Sequence, residues 1–152
     1  MTQQPAATLA LRVLAVGDVH AADDLALVKR AVARVTARHP GLELVVAGAA
    51  GRAQLLEQMQ RAHVFVAARP QAAPHHVPPA LPVAMAGGLC VIASAVGGIE
   101  GLITDGFDGL LVPPGDEDAL VEALARVAGE PRERRRLGEA AATSIRGALR
   151  SA

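Results

Sequence analysis

A chain of 152 residues has room for one domain and not two, and folding at that length buries roughly two-thirds of the surface that the unfolded chain exposes. Hydrophobic residues make up 51% and charged residues 20%, which excludes a disordered or fibrous chain. Lys+Arg and Asp+Glu each number 15, and the only aromatic residues are Phe65 and Phe107, so there is neither a basic stripe for nucleic acid nor a stacking platform for bases or sugar rings. Any ligand must be held by backbone and polar groups.

The opening MTQQPAAT lacks the charged start and apolar stretch of a signal peptide, and no apolar run reaches the ~18 residues of a membrane span. A cytoplasmic location is expected. The single cysteine, Cys90, excludes an internal disulfide, fits a reducing compartment and sits in an apolar run as a small buried hydrophobe.

Leu9 to Val16 (LALRVLAV), an apolar run ending at Gly17, reads as a first strand buried on both faces. From Asp24 to His39 the residues Leu25, Val28, Val32 and Val35 recur at helical spacing, with Asp23 or Asp24 as cap and Pro40-Gly41 as stop. Leu42 to Ala47 is a second strand, and Leu55, Leu56, Met59 and Ala62 mark a helix leading into a third strand, His63 to Ala67. Four prolines between residues 68 and 79 preclude regular structure, and Ala80 to Ala86 is a short helix. Leu89 to Ser94 is a buried strand, Gly97-Gly98 opens a short helical turn through Ile103, and Gly109 to Val112 is a fifth strand. Two helices close the chain, Asp116 to Ala128 with Leu120, Leu124 and Val127 on one face, and the charged, Ala-rich Glu130 to Leu149.

Alternating strands and helices with right-handed crossovers give an α/β domain, a Rossmann-like parallel sheet of about five strands covered by helices on both faces. Ligands in such sheets sit beyond the carboxyl ends of the strands. The loops after Val16, Ala47, Ala67 and Ser94 are therefore the places for a site.

The motifs AMAGGLCVIAS (Ala84 to Ser94), VGGIEGLI (Val96 to Ile103) and DGFDGLLVPPGDEDAL (Asp105 to Leu120), in this order and spacing, resemble the C-terminal domain of retaining GT-B glycosyltransferases of group 1, or family 4. They cover about half the chain, and the front part, VLAVGD…HPGLELVVAG, matches the start of the same domain more loosely. The resemblance implies one half of a GT-B fold over residues 1–152 that binds a nucleoside-diphosphate sugar and no metal. It places ligand contacts on Gly17, Asp18, Arg69, His75, Gly97, Gly98, Ile99 and Glu100. The family's activity is retaining glycosyl transfer from a nucleotide-sugar.

The sequence departs from the family pattern where the chemistry would lie. The paired glutamates that grip donor hydroxyls align with His75 and Val83; valine accepts no hydrogen bond and histidine accepts through one nitrogen. The basic residues that neutralise the diphosphate align with Asp18 and approximately Asp23, and at an effective dielectric of about 20 each such repulsion costs a few kcal/mol. In the family's commoner form a glutamate stands one position later than Glu100. Between Gly48 and Leu55 there is no room for the extra strand and helix of other members.

A donor-binding domain without autonomous transfer is thus expected, the acceptor domain being absent. Alternatives are a subunit completed by an acceptor-domain protein or a second copy, and a structural or regulatory relic that binds no nucleotide. Gly97-Gly98 serves either an anion or only a tight turn.

Other constellations are weaker. Gly17-Asp18-Val19-His20 with Asp24-Leu25 copies the opening of the metallophosphoesterases, but the further Asp, Asn and His ligands of a two-metal site are missing. His75-His76 lacks a third ligand. Asp23 and Asp24 could form the acidic pair of a receiver domain, yet Ala67-Ala68-Arg69 offers no aspartate to phosphorylate. The run Glu130 to Arg136 suits a solvated helix start, with Glu133 placed for i,i+3 pairing and docking to an acidic partner surface as its other use.

Overall fold

The computed structural model describes residues 11–16, 22–47, 52–68 and 77–151. Five parallel strands form one sheet: β1 (Leu11–Val16), β2 (Leu42–Ala47), β3 (Val64–Ala67), β4 (Cys90–Ser94) and β5 (Leu110–Val112), in the order β2-β1-β3-β4-β5. The helices are α1 (Ala22–Thr36), α2 (Arg52–Arg61), α3 (Ala80–Ala86), α4 (Glu117–Gly129) and α5 (Pro131–Ser151). The Rossmann-like parallel sheet expected from the alternation is present. No described helix is long and apolar enough to cross a membrane.

Period-two alternation sends each strand's apolar residues to both faces, as a doubly covered parallel sheet requires. Val13, Ala15, Val64, Val66, Cys90 and Ile92 face one layer, where Leu27, Val28, Ala31, Val32 and Val35 of α1 meet Leu120, Leu124 and Val127 of α4. Leu14, Phe65, Val91 and Ala93 face the other, against Met59 of α2, Leu81, Ala84 and Met85 of α3, and Ile99 and Ile103. Phe65 is 1% exposed, and burying such a side chain contributes about 1.5–3 kcal/mol. The helix α5 serves both layers: Leu137 packs into the first, and Ala141 and Ile145 into the second.

Element boundaries differ from expectation where local hydrogen bonding decides them. The helix α1 begins at Ala22, so Asp23 and Asp24 lie in its first turn and not ahead of it as caps. It ends at Thr36, because the amides of Arg38 and His39 both donate to Val35 O (2.9 Å each) and the residue before Pro40 disfavours helical backbone. Asp116 caps α4, its carboxylate accepting from the Ala119 amide at 2.9 Å. Pro82 falls in the first turn of α3, where a missing N–H is tolerated. The layer of α1 and α4 is tied at its surface by Arg30 and Arg34 to Glu117 (2.7 and 3.0 Å) and by Arg34 to Asp118 (2.8 Å).

Candidate functional site

Because the strands are all parallel, their carboxyl ends share one edge. Val16 lies beside Ala47, Ala67 beside Ala93 and Ser94 beside Val112. Of the loops leaving this edge, those after β1, β2 and β3 lie at least in part outside the described residues, and with them Gly17, Asp18, Arg69 and His75. The loop after β4 is described in full.

That loop is fixed to the sheet by the amide of Ala95 on Val112 O at 2.8 Å. The amides of Ile99 and Glu100 then donate to Val96 O (3.1 and 3.2 Å), and those of Leu102 and Ile103 to Ile99 O (2.9 Å each). The result is a run of hydrogen-bonded turns, two of whose bonds (Glu100 to Val96 and Ile103 to Ile99) have the i to i−4 spacing of the short helical turn expected through Ile103. Gly98 has φ +90°, a left-handed conformation that cannot continue a right-handed helix and that glycine adopts without strain.

Gly97 is half-buried and Gly98 exposed, and among the described residues neither amide donates to a backbone carbonyl. Two donors are thus available to an anion. The Glu100 carboxylate is exposed and forms no ion pair with another described residue. Ile99 is different: its side chain is 0% exposed and its amide is used by Val96 O, so it anchors the turn from within the core. Val83 sits half-buried on α3 against the second core layer and presents no acceptor.

The family model for "Glycosyl transferases group 1" matches residues 51–144, which contain this loop. The chain belongs to the group 1 glycosyltransferases. A 64-residue stretch is 44% identical to the D-inositol 3-phosphate glycosyltransferase of Kribbella flavida, covering 42% of this chain and 15% of that protein. Among solved structures, the Anabaena HepE protein in complex with UDP and glucose superposes with a TM-score of 0.78 at 15% identity, over 91% of this chain and 44% of the other. The C-terminal domain of a group 1 glycosyl transferase from Francisella tularensis gives 0.79 at 15% identity, over 90% and 85%. These superpositions establish the fold, one half of the GT-B type. The match takes in 15% of the Kribbella protein, and this group 1 glycosyltransferase domain spans about half the length of the Anabaena protein.

A second concavity of this glycosyltransferase domain, about 470 Å³, lies at the opposite end of the sheet, where β3 and β4 begin. Gln60 lines it from the last turn of α2 and His63 from the α2–β3 connection, Gly87 and Gly88 from just past α3, and Arg134 and Arg135 from the first turns of α5. The Arg12 amide donates to His63 Nδ1 at 3.0 Å, so the neutral ring carries its proton on Nε2. Although His63 is exposed overall, desolvation of the ring's inner part, and then the charges of Arg134 and Arg12, hold its pKa below the usual histidine value.

Sequence reasoning treated His63 as the first residue of a strand and the arginines as a solvated face. Glu133 does pair with Arg136, at 2.9 Å, and also with Arg126. The signal that could have found the cavity was the density of arginine at a helix start, four against the two carboxylates Glu130 and Glu133.

Proposed function

We propose that this domain holds the diphosphate of a nucleotide-sugar donor at the carboxyl edge of its sheet and does not transfer the sugar by itself. The observation that carries the binding reading is the pair of amides at Gly97 and Gly98, unoccupied by described backbone carbonyls, in the loop after β4. Phosphate oxygens accept well from such donors, and the positive φ at Gly98 lets successive N–H groups converge as an anion nest does. Glu100, exposed two residues on, is an acceptor for a ribose hydroxyl. The Anabaena neighbour, crystallised with UDP and glucose, supports the ligand class.

Transfer requires more than binding, because charge develops on the leaving diphosphate and must be stabilised there. Val83 brings no acceptor to the donor sugar, and Asp18, where the resemblance expects a cation, opposes a diphosphate. Titration of the isotopically labelled chain with UDP, GDP and ADP tests the proposal. Saturable movement of the Gly97 and Gly98 amides with one nucleotide, and no turnover of UDP-, GDP- or ADP-sugars, is the expected outcome. Robust transfer by the purified chain would overturn the second half. Binding without transfer would make an acceptor-domain polypeptide, or a second copy, the next search, whereas no binding at millimolar nucleotide would leave the relic reading.

A further inference from the structure

We infer that the cavity at the amino end of the sheet is a second, separate anion site, built for the phosphate group of a small phosphorylated metabolite. Its lining contains two guanidinium groups, Arg134 and Arg135, and no carboxylate. The one acid in the same helical turn, Glu133, is held away by Arg126 and Arg136. Arg134 spends one Nη1 hydrogen on Val127 O at 2.6 Å, which fixes its stem and leaves the rest of the fork for a ligand. Arg135 has no hydrogen-bond or ion-pair partner among the described residues.

The third donor is His63. Its Nδ1 is committed to the Arg12 amide, so its remaining ring nitrogen is an N–H donor, and this residue lines the same cavity. The site therefore presents three donors and two fixed positive charges. Burial chiefly, and after it neighbouring positive charge, lowers the pKa of both groups, Arg135 acting on Arg134 and Arg134 on His63. A bound oxyanion would relieve both. The start of the 21-residue helix α5 at Pro131 adds a favourable dipole on the same wall. Met59, Ala62 and Leu89 complete the lining, and the volume lies within the range of small-molecule sites, larger than a bare phosphate needs.

Nucleotide at the carboxyl edge and an anion here would occupy opposite ends of one sheet, so the two proposals stand or fall separately. The test is a titration of the labelled chain with inorganic phosphate at constant ionic strength, following the His63 ring and Arg135 side-chain resonances alongside the Gly97 and Gly98 amides. Expected is saturable movement of His63 and Arg135 at millimolar phosphate, with Gly97 and Gly98 unmoved. Arg135→Gln, a change at an exposed residue that leaves the fold intact, should weaken it on the order of tenfold, one charge-assisted contact being lost. Absence of saturation in the wild-type chain, or equal affinity in Arg135→Gln, would overturn the inference.

Discussion

The main chain of Arg12 and residue His63 are joined twice: the Arg12 amide donates to His63 Nδ1 at 3.0 Å, and the His63 amide donates to Arg12 O at 2.9 Å. The imidazole therefore extends the β1–β3 ladder one bond ahead of its first strand pair, Val13 with Val64. Protonating Nδ1 would remove that acceptor and place a third positive charge beside Arg12 and Arg134.

His63 should consequently be the neutral Nε2–H tautomer at pH 7 and titrate below the usual histidine value of about 6.5. The folded state binds this proton less readily than the unfolded one. Its contribution to stability is thus complete above about pH 6.5 and is lost as pH falls from there toward the folded pKa. Long-range nitrogen–proton correlation spectra across pH 4–8 read both tautomer and pKa; a His63 titrating at or above 6.5 would contradict the bond.

Gly138 on α5 passes so close to the α3–β4 connection that an added Cβ would overlap Gly88 O and lie 3.1 Å from its carbonyl carbon. Both are backbone atoms, so they cannot yield as a side-chain end would. Gly138→Ala should destabilise by about 1–3 kcal/mol, the range for overpacking. Gly147→Ala, nine residues further along the helix, meets nothing within 4 Å and should be neutral or stabilising by up to ~1 kcal/mol from helix propensity. Urea denaturation of the two variants gives the comparison, and equal effects would mean that α5 does not seat as described.

Asp108 is 4% exposed, and its Oδ1 accepts from the Thr104 amide at 2.7 Å, closing the turn that leads into β5. Asp108→Ala should cost about 1 kcal/mol, because the part-buried hydrogen bond to the Thr104 amide is lost. Asp108→Asn keeps an acceptor and should retain most of the stability. If the two variants melt alike, the charge and not the bond is what matters.

Cys90, 1% exposed at the start of β4, has its thiol pKa pushed up to about 12, chiefly by burial. With thiolate suppressed and access closed, it should resist an aromatic disulfide reagent in the native state and react at once in denaturant. Prompt stoichiometric labelling of the folded chain would refute this.

The strands and the long helices were legible in the sequence because their apolar residues follow the two periods, two and 3.6, that burial imposes. Val13, Leu14, Phe65 and Val91 are examples, each fully or almost fully buried. What pattern could not show were relations between distant segments. The pairing of Arg12 with His63 spans 51 positions, and the presence of Arg134 and Gly88 around one cavity depends on where α5 packs. The left-handed Gly98 inside the turn after β4 likewise leaves no mark on either period. Ile99 was read as a ligand contact from its place in a motif, and its side chain faces the core.

Because α5 contributes Leu137 to one layer and Ala141 and Ile145 to the other, neither layer is sealed without it. A ribosome making residues at about 5–20 per second thus exposes a nearly complete but unsealed sheet for some seconds before the segment past Leu137 emerges. During that interval Cys90, Val91 and Ile92 of β4 would be open to chaperones, and also to the strand edges of neighbouring nascent chains.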